Sequence, residues 1–357
     1  MRAWIWAAAL ALALALASSV SGAATAQEVA ALGDGELIVL AAPRADDSYY
    51  APMADAIVAF HIRFAKALAG GDRALILTDA ATRPHYVQAL GEEAVLVAPM
   101  EDVWARDFSL TRPERPVRFR YTAEGQGGGR GGQRDADWVQ SGFERLAAAA
   151  GLDYRVSTLF NDGGNLVDDY AGAAVLSRKV LRDNGLTEAE GRAALREEAG
   201  LETVAFIEAD EQGGLEHADG VVAFLEPGVL VVNRYPDDPD YAAALRADLE
   251  RGLPGVALHE IPAPYDDSAV YDARFGSACG LYTNMVVTPH RIYLPQFGVP
   301  EDSEALALIE SLTDKQVVPV ESGGVCSMGG GVRCMSWQVR GENAARLLGW
   351  RAARAPQ

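Results

Sequence analysis

The sequence predicts an α/β fold, because short apolar strands alternate with amphipathic helices along most of its 357 residues. Strand-length segments rich in Val, Leu, Ile and Ala cover residues 36–42, 74–78, 94–98, 173–177, 220–225, 228–233, 284–287, 291–294 and 316–320. Apolar positions recur at helical spacing in residues 54–68, 137–150, 187–199, 240–251, 302–312 and 343–352. Sheets covered by helices are the expected result.

Local turn and capping signals separate these elements. Thr187 and Glu190 have the spacing of a capping box, so a helix is expected to begin after Thr187. Glu226-Pro227 separates two strands closely enough to predict a hairpin, which a purely parallel sheet would not need. The order strand–helix–strand–hairpin recurs and indicates repeated units. The glycine-rich residues 125–132 predict a mobile loop, which lacks the Gly-Lys-Ser/Thr ending of a phosphate loop.

The N-terminal residues have the layout of a secretory signal peptide. A short basic start precedes an apolar run over residues 3–17, and residues 24–26 (Ala-Thr-Ala) form an A-x-A cleavage site. An uncleaved membrane anchor is the alternative, but the run is short for a bilayer-spanning helix. We expect residues 1–26 to be removed, leaving a secreted or periplasmic protein without membrane contact. Residues 27–357 are then expected to form a single catalytic domain.

The charge balance argues against nucleic-acid partners. The chain has 31 Lys and Arg against 50 Asp and Glu, which gives a formal net charge of −19. A surface this acidic repels phosphate backbones and anionic lipid head groups. A cationic substrate would be attracted, although solubility alone also explains the charge.

Cys334 is the candidate nucleophile. The chain has three cysteines, the others being Cys279 and Cys326, so at least one thiol has no intrachain partner. Cys334 follows three glycines at residues 329–331, which let the backbone approach a ligand closely. A disulfide with either of the other cysteines, or a buried inert thiol, is the alternative interpretation of this motif alone.

His217, Asp219 and Asp107 are the other candidates for chemistry. Residues i and i+2 of an extended chain share a face, so His217 and Asp219 are expected to point the same way. Histidine exchanges protons near neutral pH, and a neighbouring carboxylate can hold a cation. A local hydrogen bond of a partly buried histidine, or a metal site, is the alternative, but the other histidines are scattered singly. Asp107 follows a predicted strand, and its carboxylate could bind a guanidinium through two N–H bonds or cap a turn.

Five motifs, in this order along the chain, resemble those of the guanidine-modifying enzyme superfamily. The most similar branch is the bacterial peptidylarginine deiminase and agmatine deiminase family. The motifs are Trp-x-Arg-Asp at 104–107, Gly-Gly-Asn at 163–165, His-x-Asp-Gly at 217–220, Tyr-Thr-Asn at 282–284 and Gly-Gly-Gly-x-x-Cys at 329–334. The resemblance runs from about residue 36 to about residue 340. It implies a five-bladed, pseudo-symmetric α/β propeller, the pentein fold, with a central active-site channel.

The resemblance also implies roles for individual residues. Asp107 and Asp219 would grip the guanidinium, while His217 would act as general acid and base. Cys334 would be the nucleophile that forms a covalent thiouronium. The substrate site would also include Trp104, Asn284, Asn165 and Gly164. This chemistry needs neither a metal nor an organic cofactor.

The identity of the substrate stays open at the level of sequence. The expected partner is a small molecule or a peptide with a guanidino group, and peptidyl- or protein-arginine is the first interpretation. Arg118, Arg120 and Arg130 are candidates for holding a peptide's terminal carboxylate. Agmatine deiminase and amidinotransferase are enzymatic alternatives, and a catalytically inactive binding module is the third. The sequence does not give the oligomeric state.

Overall fold

The structure is a computed structural model that describes Gly33 and residues 35–210 and 215–354. The predicted signal peptide lies outside these residues, and no described helix is both long and apolar enough to cross a bilayer. The strands are β1 (Leu37–Ala41), β2 (Arg73–Thr78), β3 (Val95–Val97), β4 (Val117–Arg120), β5 (Arg155–Phe160), β6 (Val167–Asp168), β7 (Ala173–Ser177), β8 (Thr203–Ile207), β9 (Val222–Glu226), β10 (Val229–Asn233), β11 (Ala257–Ile261), β12 (Val286–Val287), β13 (Arg291–Gln296), β14 (Gln316–Glu321) and β15 (Ser336–Val339). The helices are α1 (Ala54–Leu68), α2 (Arg83–Leu90), α3 (Ala105–Phe108), α4 (Gly129–Ala150), α5 (Lys179–Asn184), α6 (Glu188–Ala199), α7 (Pro239–Gly252), α8 (Glu301–Leu312) and α9 (Gly341–Ala352).

Five small sheets within the described ranges repeat one plan. In the sheet β9–β10–β11 the first two strands are antiparallel and the last two are parallel, with α7 as the crossover. The sheets β6–β7–β8 and β12–β13–β14 have the same order. In the sheet β4–β5 a single bridge from Thr111 to Val117 stands in place of the antiparallel strand. This repetition confirms the α/β propeller with one sheet in each of five blades.

The remaining sheet joins the two ends of the described chain. Its order is β15–β1–β2–β3, and β15 runs antiparallel to β1 with Leu40 opposite Ser336 and Leu37 opposite Val339. The last strand therefore completes the blade that the first strand begins. This pairing closes the ring and places the segment before β15 beside the first blade.

The strands of this closing blade separate two apolar cores. Odd-numbered residues of β1 face one apolar cluster and even-numbered residues face another, as the period of a strand requires. In the first cluster, Trp337 of β15 packs edge to face on Phe143 of α4, with ring centroids 5.2 Å apart. Burying each large apolar side chain contributes about 1.5–3 kcal/mol, so this packing fixes α4 and β15 together.

Local signals at Thr187 and at residues 226–227 predict the structure correctly. The hydroxyl of Thr187 accepts the backbone N–H of Glu190, and the Glu190 carboxylate accepts the backbone N–H of Thr187 at 2.9 Å. The predicted hairpin is the antiparallel pair β9–β10. Strands β4, β5, β6, β8, β11 and β15 lie outside the predicted segments. Charged or exposed residues interrupt the apolar runs of β4, β5 and β11, and β6 has only two residues.

The prediction of a mobile loop at residues 125–132 is wrong in its second half. Helix α4 begins at Gly129, and Gly132 lies in its first turn. A Cβ on Gly132 would lie 2.6 Å from the carbonyl oxygen of Ala123, so the missing side chain lets the helix pack directly on backbone. Glycine serves close approach at this position.

A disulfide settles the pairing of the cysteines. Cys279 and Cys326 are joined across 47 positions, and Cys334 is free and buried. The backbone N–H of Ala278 also donates to the carbonyl of Cys326 at 2.9 Å. The bond therefore ties the segment before β12 to the segment that leads to Cys334.

Replacing both disulfide cysteines, Cys279→Ser with Cys326→Ser, should lower the free energy of unfolding by about 2–4 kcal/mol, because a long loop gains freedom in the unfolded chain. Urea denaturation monitored by circular dichroism measures the change. The parent protein in a phosphine reductant should match the double variant, and Cys334→Ser should keep the parent stability. Equal stability of the oxidised parent and the double variant would contradict a structural disulfide.

Candidate active site

The five motifs of the sequence occupy equivalent places in the five blades. Four of them immediately precede the short antiparallel edge strands β6, β9, β12 and β15, and the first precedes the bridge at Thr111. The blades thus bring distant parts of the chain to one pocket. Six of the predicted residues line it, namely Trp104, Asp107, His217, Asp219, Asn284 and Cys334.

Cys334 is held by its neighbours from two sides. The Nδ2 of Asn284 donates to the Sγ at 3.0 Å, and the Sγ lies 3.9 Å from the Oδ2 of Asp219. The Oδ1 of Asn284 accepts the backbone N–H of Cys334 at 3.4 Å. One asparagine therefore orients both the backbone and the sulfur of the candidate nucleophile.

His217 lies between two carboxylates. Its Nε2 is 3.1 Å from the Oδ2 of Asp162, and its Nδ1 is 3.8 Å from the Oδ1 of Asp107. Asp162 is itself fixed by Thr122, whose backbone N–H donates at 2.8 Å and whose hydroxyl donates at 2.7 Å. Asp162 thus fixes the Nε2 side of the imidazole ring, and the Nδ1 side faces Asp107.

Asp162 is a functional residue that the motif analysis missed. It stands directly before Gly163-Gly164, within a motif that drew attention only for its glycines and Asn165. An aspartate before two glycines is typical of a turn, so the sequence alone gives no reason to pair it with a histidine 55 positions away. The signal available in the sequence was that Asp162 adjoins one of the five motifs.

Gly164 and Asn165 support the site without lining the pocket. The backbone N–H of Gly164 donates to the Oδ1 of Asp107 at 2.9 Å. A Cβ on Gly164 would lie 2.5 Å from the Nδ1 of His217 and 2.8 Å from the Oδ1 of Asp107, so only glycine leaves room for this bond. The side chain of Asn165 is buried and bonded to Asn161 and to the backbone of Ser177. Direct substrate contact by either residue stays a prediction.

The rest of the pocket lining is mostly apolar. Trp104 packs beside the glycine turn, since a Cβ on Gly330 would lie 2.4 Å from its ring. The remaining lining residues are Tyr121, Gly125, Asp210, Leu215, Gly220, Phe275, Ser277, Ala278, Leu281, Met328 and Gly329. No described lining residue is lysine or arginine, so among these the only cation-forming side chain is that of His217.

A model of the Porphyromonas-type peptidyl-arginine deiminase family matches residues 31–339. The chain belongs to this family. It is 26% identical over 319 residues to the agmatine deiminase of Pseudomonas fluorescens, which covers 78% of this chain and 86% of the relative. Among solved structures it resembles a variant of the C. jejuni agmatine deiminase with substrate bound, at a TM-score of 0.70 and 15% identity over 86% of this chain and 94% of that one. The agmatine deiminase of Enterococcus faecalis matches at a TM-score of 0.68 and 17% identity, with the same coverage of both chains.

The protein is a guanidino-group deiminase, a hydrolase of carbon–nitrogen bonds in linear amidines. The solved structures add that its propeller is the pentein fold. Among the described residues of the deiminase, no group of three or more His, Cys, Asp or Glu side chains has an arrangement that would hold a metal ion.

Burial and charge set the protonation states of the empty deiminase site. Burial raises the pKa of Cys334 well above its ordinary value, and the charges of Asp219 and Asp107 raise it further. Burial opposes protonation of His217, but the charge of Asp107 and the hydrogen bond to Asp162 outweigh it and raise the pKa of His217 to about 9. At neutral pH the empty site therefore holds a neutral thiol and an imidazolium.

The two carboxylates that contact His217 differ in their affinity for protons. Burial raises the pKa of Asp107, and the charges of Asp162 and Asp219 add to the effect. Asp162 is equally buried, but its hydrogen bond and attraction to His217, together with the bonds from Thr122, lower its pKa. Asp107 is thus the carboxylate whose charged form a second cation in the pocket would stabilise most.

Alkylation of Cys334 by neutral iodoacetamide should be slow near neutral pH and should rise with pH, because the thiolate fraction increases about tenfold per pH unit below the thiol pKa. A cationic amidine such as 2-chloroacetamidine should react faster at the same pH, since its charge offsets the carboxylates. Mass spectrometry of the labelled peptide gives both rates, with Cys334→Ser as the blank. A pH-independent reaction with iodoacetamide above about pH 6 would indicate a preformed thiolate and contradict this scheme.

Asp162→Asn should lower kcat by about a hundredfold or more, because an amide donates to Nε2 and stabilises the wrong tautomer of His217. The asparagine keeps the size of the side chain and an oxygen that can accept from Thr122. Asp169→Asn is the matched control: Asp169 is a buried aspartate of the same blade that accepts only backbone N–H groups at Ala171, Gly172 and Ala173. Equal losses of kcat in the two variants would contradict a specific role of Asp162.

Proposed function

We propose that the deiminase acts on a small guanidino amine, with agmatine as the best candidate, to give N-carbamoylputrescine and ammonia. The observation that carries the proposal is the charge of the pocket. Asp107 and Asp219 lie buried beside Cys334, and Asp210 also lines the pocket at a more exposed position. A molecule with a guanidinium at one end and an ammonium at the other fits this distribution of carboxylates.

Asp210 is placed to serve the second cation. It accepts the hydroxyl of Tyr235 at 2.8 Å, which fixes its carboxylate at the pocket. The apolar side chains of Leu215, Phe275 and Leu281 line the same pocket and suit a methylene chain. Free arginine and C-terminal arginine would instead bring a carboxylate into a pocket whose described lining has no lysine or arginine.

The proposed reaction begins when the guanidinium binds between Asp107 and Asp219. Its charge offsets the carboxylates, so the thiol proton of Cys334 passes to solvent and the thiolate attacks the central carbon. The imidazolium of His217 gives its proton to one amino group, the carbon–nitrogen bond breaks, and ammonia leaves. Neutral His217 then takes a proton from water, and hydroxide adds to the thiouronium. The carbon–sulfur bond breaks, and the proton of the added hydroxyl passes to the departing sulfur, which gives the ureido product and restores the thiol of Cys334 and the imidazolium of His217.

Peptidyl- or protein-arginine, the first interpretation of the sequence, is supported less well. The description of the family favours it, whereas the matched relatives from Pseudomonas fluorescens and Ectopseudomonas mendocina are named agmatine deiminases. Two candidate arginines for a peptide carboxylate are engaged elsewhere: Arg118 pairs with Glu144 at 2.8 Å and Arg120 with Asp137 at 3.3 Å. Arg130 does not line the pocket either.

Export remains part of the proposal. The support is the sequence alone, in the apolar run at residues 3–17 and the Ala-Thr-Ala at residues 24–26. N-terminal sequencing of the protein purified from its native cells tests it, and a mature chain that begins at residue 27 is the expected result.

Substrate choice is tested with agmatine, free arginine, and peptides that carry internal or C-terminal arginine, measuring ammonia and ureido product. We expect kcat/KM for agmatine to exceed that for arginine by about tenfold or more, which corresponds to about 1.4 kcal/mol of transition-state stabilisation. Cys334→Ala should release no ammonia. Preferential turnover of a peptide would overturn the assignment, and transfer of the amidino group to an added amine without ammonia would indicate an amidinotransferase.

Asp210→Asn separates recognition of the second cation from the chemistry. It should raise the KM for agmatine with little change in kcat, since the lost contact is made equally in ground and transition states. Tyr235→Phe is the matched control, because it removes the hydrogen bond to Asp210 but keeps the carboxylate. A KM unchanged by Asp210→Asn would exclude this role.

A further inference from the structure

Arg333 stands directly before the nucleophile, and its buried side chain reaches a carboxylate of the active site. The Nη1 of Arg333 donates to the Oδ2 of Asp219 at 2.7 Å, and the Nη2 donates to the carbonyl oxygen of Leu166 at 2.7 Å. Both Arg333 and Asp219 are buried. Asp219 lines the pocket and Arg333 does not, so the arginine approaches the carboxylate from outside the substrate cavity.

The same oxygen of Asp219 faces the nucleophile. The Oδ2 that accepts from Arg333 lies 3.9 Å from the Sγ of Cys334. Asn284 links the two residues further, because its Oδ1 accepts the backbone N–H of Arg333 at 3.2 Å and that of Cys334 at 3.4 Å. The arginine, the carboxylate and the thiol therefore form one connected unit.

The charges of Asp219 and Arg333 have opposite effects on the thiolate form of Cys334. A thiolate next to Asp219 is destabilised by the carboxylate, and the guanidinium of Arg333 offsets that effect. Without the arginine, the buried carboxylates of Asp219 and Asp107 would act on the thiol, opposed by the imidazolium of His217 and the buried guanidinium of Arg106. A buried carboxylate without a partner is costly, and Arg333 supplies that partner without entering the pocket.

We propose that Arg333 is a positioning residue of the deiminase: it orients the carboxylate of Asp219 beside Cys334 and offsets its charge, which favours formation of the thiolate. The proposal acts on the site of the proposed function and rests on it only for its effect on turnover. Its effect on the thiol concerns the protein without substrate. The two ideas can therefore fail separately.

A purely structural ion pair is the competing explanation, and the chain offers an example. Arg178 and Asp248 form a partly buried pair at 2.6 Å, and Arg178 also pairs with Glu188 at 3.1 Å, but neither residue of the first pair lines the pocket. Breaking such a pair destabilises the fold, but it does not predict whether the reactivity of the Cys334 thiol rises or falls. The sign of the effect on Cys334 is thus the measurement that separates the two explanations.

The test is the rate of alkylation of Cys334 by iodoacetamide in the substrate-free protein as a function of pH. Arg333→Met should slow the reaction near pH 8 by about threefold or more, because the carboxylate is no longer offset. Asp219→Asn should accelerate it by about threefold or more, because the guanidinium is then unopposed. The double variant should lie within about twofold of the parent, since both charges are removed together.

Two further variants make the result decisive. Arg333→Lys keeps the charge and should keep the alkylation rate close to that of the parent, and Arg178→Met should leave the rate unchanged although it breaks a partly buried pair. Near-ultraviolet circular dichroism checks the fold of each protein. If Arg333→Met does not fold, Asp219→Asn and Arg333→Lys still carry the test.

The proposal is overturned if Arg333→Met and Asp219→Asn change the alkylation rate in the same direction, or if Asp219→Asn does not accelerate it. With agmatine as substrate, Arg333→Met should also raise KM, because the carboxylate that grips the guanidinium loses its orientation. A protein that turns over no agmatine but shows the opposed alkylation rates would refute the proposed substrate and retain the role of Arg333.

Discussion

The pairing of β15 with β1 holds the candidate nucleophile, Cys334, in place, and the rest of the site depends on this pairing. Cys334 lies two residues before Ser336, where this pairing begins, and its carbonyl oxygen accepts the backbone N–H of Arg106 at 3.1 Å. Arg106 in turn stands next to Asp107, and its Nη2 donates to Gln338 at 2.8 Å across 232 positions. Closing the ring therefore sets the distance between the thiol and the first carboxylate. Because these contacts join the two ends of the chain, the site cannot form from a part of the propeller.

Within the closed ring, the arrangement of charges favours a cation over any neutral or anionic ligand. Burial and the carboxylates keep Cys334 protonated, while the same carboxylates keep His217 protonated up to a pKa of about 9. An incoming guanidinium supplies the positive charge that the thiolate needs, so binding and activation are one electrostatic event. A neutral ligand brings no such charge, so Cys334 should react with it only slowly near neutral pH.

The sequence predicts the main polar residues of the candidate site and fewer of the residues that support them. Asp107, His217, Asp219 and Cys334 share a pocket because each belongs to a motif of residues whose types match the reaction. Asp162 escaped because its partner is distant in sequence and because an aspartate before glycines is typical of a turn. The pairing of Cys279 with Cys326 could not be derived, since three cysteines allow several pairings. Polar strands such as β11 are stabilised by their neighbours in the sheet, and no local pattern records that.

The unequal support of Asp162 and Asp107 gives the imidazole a direction. Asp162 accepts two bonds from Thr122 and one from His217, whereas Asp107 accepts the backbone N–H of Gly164 and lies 3.8 Å from the Nδ1. The weaker contact is the one that a substrate can replace. In the proposed reaction, a guanidinium bound to Asp107 replaces His217 as the partner of that carboxylate. The Nδ1 proton of His217 then faces the amino group that departs. In the proposed reaction, the carboxylate that binds the substrate thus also frees His217 to act as the acid, while Asp162 keeps the ring oriented through both halves of the reaction.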